Sequence, residues 1–189
     1  MLRTRGFWVA SAAILFAVLA LGVLEGVLPL HFAELLSQAQ IGGLYVGASV
    51  IVAVSAATAG GKRPRPLVFA GVLLAIAGTS LAGMATEVPL WLLALALAAV
   101  GIGIANTGSL GLLVEAVPVQ HIVTAMVVWS QIGIVGYLFG PLAGGIIADR
   151  LGYAFVGTVS AVAGLLVVAL LRTARSPVTR PPPAAAGGN

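Results

Sequence analysis

Residues 90–114 read LWLLALALAAVGIGIANTGSLGLLV, an apolar run without a charge, broken near its middle by Asn106, Thr107 and Ser109. At about 1.5 Å of rise per residue, such a run crosses the roughly 30 Å hydrocarbon core of a bilayer as one helix. Five more runs share that character, at 7–30, 41–60, 67–85, 122–148 and 153–171. None alternates apolar with polar residues as a barrel strand does, and a bilayer admits only helices or closed barrels. The sequence therefore predicts an all-α polytopic membrane protein, a bundle of six transmembrane helices within residues 1–175. Composition agrees: 60% of the 189 residues are hydrophobic and 7% are charged, where soluble domains are roughly one-quarter charged. The lipid bilayer is this chain's solvent.

With six spans both termini share one side of the membrane. Arg3, Arg5, the loop GGKRPRP with Lys62, Arg63 and Arg65, and Arg172, Arg175 and Arg180 all fall on it, while Arg150 lies opposite. Short cytoplasmic loops collect Lys and Arg, so both termini are expected in the cytoplasm and the protein in the plasma or cell inner membrane. The opening MLRTRGFWVASAAILFAVLA has the basic start and small-residue end of a signal peptide, but its apolar run continues past Ala20 and reads as the first span. Residues 176–189, SPVTRPPPAAAGGN, have nothing to bury and are expected to form a disordered cytoplasmic tail.

Several function classes fall away. The net charge of +4 comes from membrane-flanking clusters without interleaved aromatics, which is not a nucleic-acid footprint. There is no cysteine, and His31 and His121 stand apart, so neither a disulfide framework nor a metal site is expected. Neither a nucleophile–base pair nor a phosphate-binding loop is present, so the chain reads as no enzyme and as needing no cofactor.

Spans three and six carry no ionisable or amide side chain between their ends, unlike spans one, four and five. Glu25 interrupts LGVLEGVLPLHF, residues 21–32. An acid at the centre of a membrane helix costs about 2.5–3.5 kcal/mol and normally faces a bundle interior or a watery cavity. Because desolvation penalises its charged form, such a carboxylate suits loading and release of a proton. Solvation near the outer interface, or a structural hydrogen bond to a neighbouring helix, is the alternative. Asn106, Ser130 and Gln131 read equally as solute contacts or as polar ties between helices, worth about 0.6–2 kcal/mol each. Trp129 reads equally as cavity lining or lipid packing, whereas Trp91 is expected to be an interfacial anchor and His31 to sit at the outer boundary. Small residues four apart, Gly22 with Gly26, Gly43 with Gly47, and Gly136 with Gly140 and Gly144, suit close helix packing.

The fifth span continues this pattern as Gly136-Tyr-Leu-Phe-Gly140-Pro141-Leu-Ala-Gly144-Gly145, followed by IIADRLG. That stretch resembles the GxxxGPxxGG antiporter motif of the major facilitator superfamily. With LEGVLPLHF, the spacing of the six spans and GIGIANTGSLGLLVEAVP in the fourth, residues 7–171 resemble the C-terminal six-helix half of a drug:proton antiporter. They also resemble the branch that contains the vesicular amine transporters. The fourth span lacks the membrane arginine of N-terminal halves, and GGKRPRP lacks the aspartate and glycine of the loop motif GxxxDRxGRK; both favour a C-terminal half.

The resemblance implies a three-plus-three inverted repeat and transport by rocking of two halves around a midplane site. It places Glu25 where relatives carry an acid used in proton coupling or cation binding. It implies a solute held near Asn106, Ser130, Gln131 and Trp129, and a motif packing that suppresses leak, with a kink at Gly140-Pro141. Vesicular relatives have further acids where this chain has Asn106 and Ser130 with Gln131, which implies a small, moderately lipophilic solute more than a strongly cationic amine. Six spans are half of such a machine. A second six-helix half, or a homodimer partner, is expected for proton-coupled efflux; otherwise the chain is a non-transporting assembly partner or a truncated remnant.

Overall fold

The computed structural model describes residues 5–173. The expected disordered tail, 176–189, and the basic residues Arg3, Arg175 and Arg180 lie outside them. Seven α-helices follow in chain order: α1 Arg5–Gly26, α2 Leu28–Phe32, α3 Gln38–Ala59, α4 Pro64–Met84, α5 Val88–Ala116, α6 Ile122–Leu151 and α7 Gly157–Thr173. Among the described residues six helical segments are long and apolar enough to cross a membrane, α1 and α2 together making the first, Arg5–Phe32.

The helix ends follow from local chemistry. Ser37 caps α3 through a reciprocal pair, its hydroxyl accepting from the Gln40 N–H and its own N–H donating to Gln40 Oε1 at 2.9 Å. Pro64 opens α4 where no helical N–H is needed, after Gly61 has turned the chain at φ 75°. Gly152 ends α6 at φ 90°, a backbone conformation that residues with a Cβ rarely adopt.

The first span is broken at Val27, just after Glu25. Pro29 has no N–H, so the Glu25 carbonyl has no donor four residues on. The Val27 carbonyl instead accepts from Leu30 N at 3.2 Å, a tighter spacing than the α-helix allows. The hydroxyl of Tyr45, on α3, donates to the Leu24 carbonyl. The break is thus bonded from a neighbouring helix, as buried backbone in lipid requires.

Helices assemble through small residues. Without a hydrophobic gain between apolar helices in lipid, close approach and dispersion must hold them. α4 lies along α5 and α1 along α6; α3 packs on α5 and α7 on α4. Between α4 and α5, a Cβ on Gly71 would sit 2.6 Å from Ala105 N, so a side chain there would force the helices apart. Thr107 adds a polar tie, its Oγ1 donating to the Ala56 carbonyl at 3.2 Å. The first span is the most buried: 67% of its apolar window is covered, against 11% for α3 and 17% for α6, which keep open faces.

An aromatic cluster closes one end. Trp91 is 1% exposed, facing the bundle and not the membrane surface, so its anticipated interfacial role gives way to a structural one. Its Nε1 donates to the Ala85 carbonyl at 2.8 Å, the last residue of the α4 turn, and His31 Nε2 approaches the same oxygen at 3.2 Å. The His31 ring stacks on Tyr153 with centroids 4.6 Å apart, and Phe32 lies 4.6 Å from Trp91. Trp91→Phe keeps most of the packing and loses the indole bond, so it is expected to destabilise the bundle by about 1 kcal/mol, seen as a lower melting temperature in detergent.

Candidate functional site

An open groove of about 420 Å³ runs between α1, α5 and α6, lined by Ile14 and Val18 of α1, Asn106 of α5, and Trp129, Ser130, Gly133, Ile134 and Tyr137 of α6. Its polar groups are placed by helix geometry. Ser130, Gly133, Ile134 and Tyr137 recur at three and four residues, so they share one stripe of α6. Asn106 is half-buried near the middle of α5. The Trp129 indole N–H is buried and has no hydrogen-bond partner among the described residues, leaving a donor whose burial costs about 1–3 kcal/mol until something accepts from it.

Glu25 lies beside this groove and is joined to it through Tyr137. The Tyr137 hydroxyl donates to Glu25 Oε2 at 2.9 Å, and both side chains are exposed on the open side of the bundle. On its other side Glu25 borders a small void of about 20 Å³, with Tyr45 and Ser49 of α3 and Leu95, Ala99 and Ile102 of α5. That space is about the size of one water. Glu25 is therefore a carboxylate within the first apolar span, with one tyrosine hydroxyl on it and open space on both flanks.

The glycine-proline stretch of α6 packs this site shut from behind. A Cβ on Gly136 would lie 2.5 Å from the Leu15 carbonyl oxygen, one on Gly140 2.5 Å from that of Leu19, and one on Gly144 3.0 Å from Val27 Cγ2. From the opposite side, Cβ atoms on Gly22 and Gly26 would lie 3.0 Å and 2.6 Å from the Pro141 ring. Pro141 has no N–H to offer the Tyr137 carbonyl, and that oxygen faces Gly22, where a Cβ would meet it at 2.7 Å. α6 stays helical through Pro141. Gly145 alone of the motif glycines has nothing within 4 Å.

A family model described as Major Facilitator Superfamily matches residues 10–188. The chain belongs to the major facilitator superfamily. No curated protein matches it in sequence. The superfamily is one of membrane transporters, so this facilitator chain is an integral membrane protein whose membership supports transport and not catalysis. Its all-helical, six-span architecture is consistent with one half of the superfamily's fold.

Within this facilitator half, the residues anticipated around a solute separate into two groups. Asn106, Trp129 and Ser130 line the groove. Gln131 does not: it lies about 100° around α6 from Ser130, in the exposed stripe that carries Val127, Val135 and Leu138. Thr107 ties helices together and Ser109 bonds the Asn106 carbonyl of its own helix at 2.9 Å, so both serve structure. Reasoning from sequence passed over Tyr45 and Tyr137, the two tyrosines around Glu25. Tyr137 carried a readable signal, because it shares the four-residue spacing of Gly133 and lies next to Gly136. Tyr45 carried none; its partner is a backbone carbonyl freed by a break in another helix.

Proposed function

We propose that this facilitator chain is one half of a proton-coupled antiporter for a small, moderately lipophilic organic solute, with Glu25 as the proton carrier. The observation that carries the reading is the Glu25–Tyr137 pair, open to a groove that also presents Asn106, Ser130 and the unpartnered Trp129 indole. An acid exposed to lipid within a span is costly, so Glu25 calls for a covering surface. A second six-helix bundle, from another chain or a second copy, supplies it by seating on α3 and α6, the two helices with the least covered faces. A groove closed in that way forms a site between two bundles, which alternating access requires. The basic residues Arg5, Lys62, Arg63 and Arg172 share the end of the bundle opposite His31, which supports cytoplasmic termini in a plasma or cell inner membrane.

The mass of the assembly extracted from its native membrane in mild detergent, with every co-purifying chain identified, tests this reading. A dimer, or a complex with a second multi-span chain, is the expected result. A lone chain in lipid nanodiscs at native abundance overturns it, because Glu25 would then have no second wall around it.

A further inference from the structure

Among the described residues, Tyr137 is the one that both lines the groove and hydrogen-bonds to Glu25, whose carboxylate is not itself among the groove's lining. A phenol carries one proton and two lone pairs, and an ionised carboxylate can only accept. In the observed arrangement Tyr137 gives its proton to Glu25 Oε2, so its oxygen offers lone pairs to the groove. When a proton loads onto Glu25, the carboxyl gains an O–H of its own. The shared bond then reverses, Glu25 donating to the Tyr137 oxygen, and the phenol O–H turns toward the groove.

Resting on the antiport reading, we infer that Tyr137 is a positioning residue that reports the protonation of Glu25 to the solute, and that the solute taken by the deprotonated state carries an N–H or O–H donor for the Tyr137 oxygen. A donor at that oxygen polarises the phenol toward Glu25 and strengthens the second bond of the chain, which favours the carboxylate. Proton and donor-bearing solute thereby exclude one another without touching. That exclusion has the sign an antiporter needs, and it requires no direct ion pair between solute and Glu25.

The surroundings leave this relay the dominant polar contact. Facing Glu25 from α3 is Tyr45, whose hydroxyl is committed to the Leu24 carbonyl. From α5 come Leu95, Ala99 and Ile102, with Asn106 farther along the groove. α4 and α7 carry ionisable residues only near the opposite end, Arg65 and Arg172. His31 of α2 is held at the Ala85 carbonyl and 3.6 Å from Glu34.

Infrared difference spectra of the purified assembly in lipid nanodiscs, taken between alkaline and acid buffer, test the relay. On acidification the native chain is expected to gain a carboxyl band that is lost in Glu25→Gln, together with a shift of a tyrosine ring–oxygen band that is lost in both Glu25→Gln and Tyr137→Phe. A carboxyl band without any tyrosine shift, or a shift that survives in Tyr137→Phe, overturns the relay and leaves the proton carrier standing. Absence of the Glu25 band overturns the proton-carrying reading itself. Dansylamide, which has a sulfonamide N–H, and its N,N-dimethyl analogue, which has none, then test the solute class by fluorescence. Dansylamide is expected to bind at least about fivefold more weakly at acid pH, the low end of coupling between linked sites, with the dependence lost in the analogue and in Tyr137→Phe. Equal pH responses of the two probes, or no binding of dansylamide to the native chain, overturns the donor requirement.

Discussion

Gly140→Val is expected to cost about 3 kcal/mol or more, enough to leave little folded bundle after extraction, while Gly145→Val is expected to be silent. Both glycines lie in α6, five residues apart, and both replacements carry the same change in helix propensity. They differ in what the new side chain meets. At Gly140 the Cβ would press on Leu19 O at 2.5 Å and Val23 N at 3.0 Å, backbone atoms of α1 that cannot rotate away. α1 and α6 would have to separate, and the Glu25–Tyr137 bond at 2.9 Å spans that same interface. At Gly145 nothing lies within 4 Å. The check is the fraction of each variant that remains monodisperse after a thermal challenge in mild detergent. Equal survival of the two would mean that the α1–α6 contact does not hold the bundle. A silent Gly145→Val that nevertheless disrupts a larger assembly would place a partner on that face.

Glu25→Gln is expected to reduce solute-evoked proton movement to the level of protein-free vesicles, with the melting temperature of the bundle nearly unchanged. Glutamine keeps the shape of the side chain, and its carbonyl oxygen still accepts from the Tyr137 hydroxyl. It cannot carry a proton. Because Glu25 is exposed on the open side of the bundle, removing its charge relieves a cost in lipid and leaves the core untouched. Luminal pH of proteoliposomes holding the purified assembly, preloaded with small aromatic amides and placed in acid buffer so that protons enter as solute leaves, provides the measurement. Solute-evoked acidification that persists in Glu25→Gln would assign proton coupling elsewhere, and a large loss of stability would make Glu25 a structural residue.

These two predictions separate what composition imposes from what packing imposes. Six apolar runs and the basic clusters at their ends were legible from residues alone, because a bilayer accepts only segments that satisfy their own backbone and it penalises each charge inside. For the same reason Glu25 stood out as a candidate, and the spacing of Gly136, Gly140 and Gly144 marked α6 as a packing helix. Rotation of each helix about its axis was not legible. In water a polar face identifies the outside of a helix, but here α3, α5 and α6 are apolar on every side, so no periodic signal tells Gln131 from Ser130.

Tertiary contacts supplied that missing rotation. They turned Ser130 and Tyr137 toward the groove and Gln131 away from it, paired Gly22 and Gly26 with Pro141, and left Gly43, Gly47 and Gly145 without neighbours although their spacing or setting looks the same. They drew Trp91 from an expected surface position onto the Ala85 carbonyl. They also set the break after Glu25 beside Tyr45, whose hydroxyl takes up the Leu24 carbonyl. The sequence by itself determined the solvent, the number of spans and the one acid inside a span, since each follows from the cost of polar groups in hydrocarbon. Which side chains meet that acid was decided only by the tertiary structure, because helices in lipid are oriented by shape and by individual hydrogen bonds, and those depend on residues far apart in the chain.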